Sequence, residues 1–302
     1  MMLGVIDIGG TSIKYGVLGG SGELIHHDFV PTEAWRGGDA IVEKACEISD
    51  LLRERFDIEG IAISSAGQID NRNGSVVFAT DNIPGYTGTP VAERVSRHTG
   101  LPVTVENDVN CTALGEHWKG AGRGVRNFVC MTIGTGIGGA LFLDGHLFTG
   151  SAFSAGEIGH ISLYPGGKPC NCGNSGCYEQ YASASALIAL IRDAYEGEPD
   201  LEAFFDLVKE GEEVANEIFG RWVDDIATGL QSLVHSFNPE CIIIGGGVSE
   251  QGEILRSAIE ESLRKKVMPN HRKSLEVRLA EQGNRANLLG AAYHFMESRK
   301  NG

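Results

Sequence analysis

Asn127–Phe148 reads N-F-V-C-M-T-I-G-T-G-I-G-G-A-L-F-L-D-G-H-L-F, and Leu3–Ile25 reads L-G-V-I-D-I-G-G-T-S-I-K-Y-G-V-L-G-G-S-G-E-L-I. Each is an apolar run, a glycine cluster, a second apolar run, a glycine turn and a third short run. The pattern is strand, hairpin tip, strand, turn, strand, written twice. Laying Asp7-Ile8-Gly9 over Thr132-Ile133-Gly134 brings the tips into register, with later glycine turns near Glu23 and His146. Repetition at this scale points to an internally duplicated fold. No helix follows either cluster, which excludes a Walker A loop and, despite G-T-G-I-G-G, a dinucleotide fingerprint. A glycine tip leaves backbone N–H groups bare and nothing projecting, so phosphates can approach it. Asp7, Thr11 and Lys14 surround the tip at Gly9 and Gly10. A plain hairpin turn beside an acid is the alternative that this local sequence leaves open.

The second informative stretch is Gly156–Glu179, G-E-I-G-H-I-S-L-Y-P-G-G-K-P-C-N-C-G-N-S-G-C-Y-E. It places His160, Cys170, Cys172 and Cys177 between two carboxylates, Glu157 and Glu179. Three thiolates and an imidazole complete a tetrahedral zinc shell with no position left for water, the mark of a structural metal. Cys170 and Cys172 are too close for an easy disulfide, and seven cysteines leave one over in any full pairing. No basic, apolar leader precedes Asp7, so reduced thiols and a cytoplasmic location are expected. Cys46, Cys111, Cys130 and Cys241 read as buried thiols in apolar surroundings.

A hydrophobic share of 42% with 22% charged residues fits a globular enzyme of one large or two ordinary domains. No apolar run reaches the length of a membrane span. The net charge of −15 argues against nucleic acid as a partner, because a polyanion needs a basic footprint. It leaves room for a nucleotide, whose phosphates can be met by magnesium, one lysine and backbone N–H groups. Forty-two glycines are about twice the usual share and fall in short clusters, marking tight loops.

Between the repeats, residues 38–56 carry apolar positions at helical spacing, and Gly60–Asp70 holds a strand ending in Ser64, Ser65 and Gly67. Asn71–Gly88 reads as polar turns, Thr89–His98 as a helix, and V-T-V as a strand entering Glu106-Asn107-Asp108 before a helix over Val109–Lys119. Asp108 is the best candidate for a general base, since open α/β sheets place ligands at the carboxyl ends of strands. It could equally be only an N-cap. Beyond the cysteines, helices are expected over Glu179–Tyr195, Leu201–Lys209 and Glu212–Phe237, with a turn at Gly197–Asp200. C-I-I-I (Cys241–Ile244) is a strand running into Gly245–Gly247, followed by a helix from Glu253, the strand L-E-V-R-L-A and a closing helix.

The ordered set D-I-G-G-T, E-N-D, I-G-T-G-I-G-G, G-E-I-G-H, C-N-C-G-N-S-G-C-Y-E and I-I-I-G-G-G resembles the ROK family of sugar kinases across essentially the whole chain. The resemblance implies the α/β, two-lobed actin/hexokinase/Hsp70-type ATPase fold, a ribonuclease H-like duplication with a cleft between lobes. The lobes are expected at 1–109 plus 287–302 and at 110–286. By the same resemblance Gly9, Gly10 and Thr11, with Lys14, match the first phosphate loop. Thr132, Gly134, Thr135, Gly136 and Gly138 match the second, and Gly245, Gly246 and Gly247 the adenosine motif. Asp7 matches the acid that positions magnesium through water, and Asp108 the catalytic base. Gly67, Thr80, Asn107, Glu157, His160 and Glu179 match positions around the sugar, with His160 also on zinc. The implied reaction moves the γ-phosphoryl group of ATP to the C6 hydroxyl of a hexose, glucose first.

Kinases for N-acetylmannosamine share the zinc spacing but commonly carry arginine where Gln68 stands here. The size of Thr80–Gly88 would decide whether a β-glucoside fits. Family repressors carry a DNA-binding helix-turn-helix ahead of the first loop, for which the residues before Asp7 leave no room. A lectin-like binder would leave two phosphate loops unexplained. The family also implies a homodimer.

Overall fold

A computed structural model describes residues 1–197 and 200–300 of the chain. Two compact units divide it: Met1–Gly124 with Leu147–Ala155 and Glu281–Gly302, and Val125–His146 with Gly156–Ala280. The expected cuts at 109/110 and 286/287 fall inside helices that pack on one another. The first unit therefore extends to Gly124, resumes at Glu281, and takes in the strap Leu147–Ala155 as well.

The first unit opens with β1 (Met2–Ile8), β2 (Ser12–Gly19) and β3 (Leu24–Pro31), then α1 (Gly38–Arg55) and β4 (Ile61–Ser65). A small hairpin, β5 (Gln68–Asp70) and β6 (Ser75–Phe78), precedes α2 (Val91–Thr99), β7 (Val103–Asn107) and α3 (Asp108–Lys119). Its sheet runs β3-β2-β1-β4-β7. The second unit begins with β8 (Phe128–Ile133), β9 (Ile137–Leu143) and β10 (His146–Phe148), whose last residues enter the strap. After the cysteine loop come α4 (Glu179–Ala182), α5 (Ala184–Ala194), α6 (Leu201–Glu210), α7 (Glu213–Phe237), β11 (Cys241–Gly245), α8 (Glu253–Lys266) and β12 (Glu276–Leu279). The second sheet runs β10-β9-β8-β11-β12. The closing helix α9 (Ala286–Ser298) belongs to the first unit.

The two sheets match strand for strand. The antiparallel pair β1/β2 ends at Ile8↔Ile13 and β8/β9 at Ile133↔Ile137, closing tips of four and three residues. β4 and β11 then pair parallel to β1 and β8. Parallel strands need both faces covered, and β1 shows how the sequence supplies this. Its alternate residues Ile6 and Ile8 enter one core with α1 and α2, while Leu3 and Val5 enter another with α3 and α9. Asp7 has the parity of Leu3 and Val5, so it emerges on the α3/α9 side.

Those two helices cross with their backbones in contact. A Cβ added at Gly290 would stand 1.7 Å from the carbonyl oxygen of Cys111, and one at Gly115 would stand 2.2 Å from that of Ala286. Only glycine allows this approach.

Local expectations differ from the structure in three places. The helix expected over Glu179–Tyr195 breaks at Ser183, whose hydroxyl takes the N–H of Ala186 and whose carbonyl takes Trp222 Nε1, starting a new helix. The turn-rich Asn71–Gly88 contains β6, which pairs with β5. Helix α2 starts at Val91 because the ring of Pro90 disfavours helical backbone at Thr89, leaving Pro90 as the N-cap. The turn expected at Gly197–Asp200 includes Glu198 and Pro199, which lie outside the described residues. No helix among the described residues is long and apolar enough to cross a membrane.

Gly290→Ala should lower unfolding stability by about 1–3 kcal/mol through forced separation of α3 and α9. Urea denaturation checks it, and an unchanged midpoint would contradict the packing described.

Candidate active site

In the first unit the site is built around two acids. Asp7, at the end of β1, is 5% exposed, and its Oδ1 accepts from Ser64 Oγ at 2.7 Å and Asn287 Nδ2 at 3.0 Å. Burial raises its pKa, and those two hydrogen bonds and the charge of Lys14 lower it by less. Asp108 is the first residue of α3; it keeps part of its surface open while protein encloses it deeply. Loss of water, then the negative charge of Asp7, push its pKa from 3.8 to about 7. The capping alternative is resolved by its neighbour. Asn107 is the N-cap, its Oδ1 accepting from the N–H groups of Val109 and Asn110 at 2.9 and 3.0 Å. Asn107 Nδ2 donates to Asp108 Oδ1 and to the Gly67 carbonyl, both at 2.9 Å. Asn107 thus fixes where Asp108 points, and Gly67, with φ of 96°, offers a carbonyl that a residue with a Cβ would strain to present.

The first glycine tip is clamped from β3. Thr32, just beyond that strand, donates its hydroxyl to the Gly9 carbonyl at 2.6 Å and its N–H to the Thr11 carbonyl at 2.9 Å. A Cβ at Gly10 would meet nothing within 4 Å, so the protein itself does not require a glycine there. Lys14 Nζ donates to Asn284 Oδ1 at 3.1 Å, on the segment before α9. Thr80 offers its carbonyl to the N–H of Ile83. The donor set at Asp7 suits a cation held through water: among the described residues no side chain donates to Oδ2, and burial strengthens the attraction.

In the second unit the other tip, Gly134–Gly136, is held by the Ala184 N–H on the Gly134 carbonyl at 2.9 Å. A Cβ at Gly136 would lie 2.6 Å from Glu179 Oε2, so this tip and that carboxylate are in contact. Thr132 pairs with Gly138 across the hairpin and with Gly245 across the parallel pair. Gly246, with φ of 83°, lies against the backbone of Ile133, where a Cβ would come within 2.3 Å of its carbonyl oxygen. Gly247 opens the turn that follows, and Thr135 is exposed at its tip.

The cysteine loop is fastened to β9 by glycines. A Cβ at Gly156 would stand 2.6 Å from the Gly139 carbonyl oxygen, and one at Gly159 would stand 2.2 Å from that of Ile137. Glu157 precedes the short turn that carries His160. The ligand atoms of His160, Cys170, Cys172 and Cys177 all lie within 4.8 Å of one another. Cys170 Sγ is 3.6 Å from His160 Nδ1, and Cys172 Sγ is 3.6 Å from Cys177 Sγ. Tetrahedral zinc with Zn–S near 2.3 Å sets sulfurs about 3.8 Å apart, so the cluster has the right size. Burial and the neighbouring thiols push Cys177 up to about 12, a balance that a bound divalent cation reverses. His160 turns Nδ1 to the cluster, also 3.7 Å from Glu179 Oε1, which leaves Nε2 for another partner. Tyr164 Oη to Asp225 at 2.5 Å and Tyr178 Oη to the Ile226 carbonyl at 2.6 Å brace the loop on α7.

Residues 3–298 match the model of the ROK family. The chain belongs to the ROK family. It is 35% identical to a glucokinase of Thermotoga maritima, with 95% of each chain covered. It is 32% identical to a β-glucoside kinase of Listeria monocytogenes, with 98% of each covered. Its fold superposes with a TM-score of 0.83 on a ROK glucokinase of Streptomyces griseus in complex with glucose and AMPPNP, at 33% identity over 97% of this chain and 98% of that one.

Within this ROK chain, Asp7, Gly9, Gly10, Thr11, Lys14, Gly67, Thr80, Asn107 and Asp108 fall in the first unit. Thr132, Gly134, Thr135, Gly136, Gly138, Glu157, His160, Glu179, Gly245, Gly246, Gly247 and the three cysteines fall in the second. Reading the sequence missed Ser64 and Asn287 on Asp7, and Thr32 on the first tip. Only topology brings these residues to their partners. Cys172→Ala should abolish zinc retention and loosen the loop. Elemental analysis should find stoichiometric zinc in the wild type and none in the variant; a zinc-free wild type would contradict the assignment.

Proposed function

We propose that this ATP-dependent sugar kinase phosphorylates the C6 hydroxyl of a hexose, with glucose as its preferred substrate. The observation that carries the reading is Asp108, held by Asn107 at the end of β7, with a pKa of about 7. A general base works best when its pKa lies near the working pH, since it is then both ionised and basic enough to take a proton. Asp108 accepts the hydroxyl proton as that oxygen attacks the γ-phosphorus, and the bond to the β,γ-bridging oxygen breaks in line. Magnesium, where bound, supplies positive charge against the phosphates. Asp7 is the residue that would hold it through water.

Gly9, Gly10, Thr11 and Lys14, and Thr132, Gly134, Thr135, Gly136 and Gly138, are the groups we assign to the phosphates. Gly245, Gly246 and Gly247 are assigned to adenosine. Glu157, Glu179 and His160 Nε2 would bond sugar hydroxyls, with Gly67 and Thr80 at the sugar edge. Structural zinc would hold His160, and Asn107 would act chiefly by positioning Asp108. Glucose is favoured by the Thermotoga maritima and Streptomyces griseus relatives. The Listeria monocytogenes relative makes a β-glucoside the second reading. A homodimer is the assembly we expect.

Sugar-dependent ATP consumption across glucose, mannose, fructose, both N-acetylhexosamines and β-glucosides tests the substrate, with the phosphate position read by NMR. Glucose 6-phosphate is the expected product, and a preference for a glucoside selects the second reading. Asp108→Asn should retain sugar binding and lose turnover by about 10²-fold or more. Near-normal turnover in that variant would remove Asp108 from the role of base.

A further inference from the structure

A cavity of about 290 Å³ lies wholly within the first unit, apart from every residue assigned above. It sits at the Lys119 end of α3, whereas Asp108 begins that helix, about 17 Å away along its axis. Leu18, Leu24, Leu288 and Leu289 line it, and three of these are buried. Lys119 and Arg285 stand at its rim, and neither makes an ion pair among the described residues. Lys119 Nζ instead rests 4.7 Å above the ring of Trp118. The one acid in the lining, Glu23, turns back over Gly19 and accepts the Ser21 hydroxyl, while staying near enough for Lys119 to act on its charge.

The lining combines an apolar floor with a net charge of about +1, in a chain whose net charge is −15. The global charge is screened over about 8 Å in physiological salt, so the local cations decide what binds. From this geometry we infer a second ligand site, for a small aliphatic monocarboxylate. The carboxylate meets Lys119 and Arg285, and its chain lies on the leucines. A monoanion matches the net charge where a dianionic phosphate exceeds it. The volume is that of about ten water molecules, enough for a chain of six to eight carbons.

The site is coupled to the acids. Arg285, Leu288 and Leu289 flank Asn287 in the first turn of α9. Asn287 Nδ2 donates to Asp7, and Asn287 Oδ1 accepts from Thr112 Oγ1 at 2.5 Å, one turn into α3 from Asp108. Gln282, also in the lining, donates Nε2 to the Lys119 carbonyl at 2.9 Å, and its N–H falls on the buried carboxylate of Glu116 at 2.8 Å. A ligand that presses on this turn shifts Asn287, and with it Asp7 and Asp108.

Calorimetric titration of the full-length protein with butanoate, hexanoate, octanoate and octan-1-ol tests the site. Affinity should rise by up to about fourfold for each methylene added. Octan-1-ol, which lacks the charge, should bind about tenfold more weakly than octanoate. The double variant Lys119→Glu/Arg285→Glu, with wild-type circular dichroism, should lose octanoate binding by about tenfold or more. No saturable binding, no dependence on chain length, or equal binding by the double variant each overturns the site. The coupling rests on the kinase reading: octanoate should change sugar-dependent ATP turnover in the wild type and leave the double variant unaffected. Binding with unchanged turnover overturns the coupling. Absence of turnover with every sugar defeats the kinase reading, and the calorimetry still decides the site.

Discussion

Two carboxyl groups crowded into one small region of the first unit are the constraint around which that unit is arranged. Asp7 and Asp108 both lose water on folding, and the charge of Asp7 makes Asp108 harder still to ionise. Left alone, such a pair would protonate or draw in solvent. Ser64, Asn287 and Asn107 place hydrogen-bond donors on them, which offsets part of the penalty. What remains at Asp108 is a carboxyl that titrates near neutrality, which suits the base we propose, at some loss of stability. A carboxyl whose folded pKa lies above its ordinary value contributes most when protonated. For Asp108 that contribution fades as pH rises from its ordinary range near 3.8 through about 7. The ionised form, which our proposal makes the active one, is therefore the less stable, a common arrangement for functional residues.

Duplication explains why the donors can be so placed. Each sheet is a hairpin with a short glycine-containing tip, continued by parallel strands that end beside that tip. The copies have then diverged at matching positions. Asp7 in β1 corresponds to Thr132 in β8, and their parallel partners are Ser64 and Gly245. One copy carries side chains that hold charge. The other carries threonine and glycine there, and it uses Gly136, Gly139, Gly156 and Gly159 to press its tip and β9 against Glu179 and the cysteine loop.

The repeated hairpins, the sheet strands and the clustering of His160 with the three cysteines were legible in the sequence because each rests on local pattern: alternation, glycine clusters and ligand spacing. Asp108 was legible as a candidate base, but its local sequence left open that it only capped α3. Asn107 taking the cap became visible only with coordinates. Asn287 and Thr32 were illegible for a different reason. Each acts on a residue far away in sequence, 280 positions in the case of Asn287 and Asp7, and nothing in its neighbourhood marks it. The break at Ser183 was hidden because Ala, Ser and Leu on either side favour a continuous helix. A tertiary bond from Trp222 overrides them. The strap Leu147–Ala155 was missed because its sequence follows directly from β10 with no change of composition.

The most direct measurement is titration of the Asp108 carboxyl carbon by ¹³C NMR, assigned by its loss in Asp108→Asn. A midpoint near 7 is predicted, moving down in Asp7→Asn as the opposing charge is removed. A midpoint in the ordinary range near 4, unaffected by Asp7→Asn, would contradict the account of Asp108 as a base tuned by burial and by its neighbouring acid.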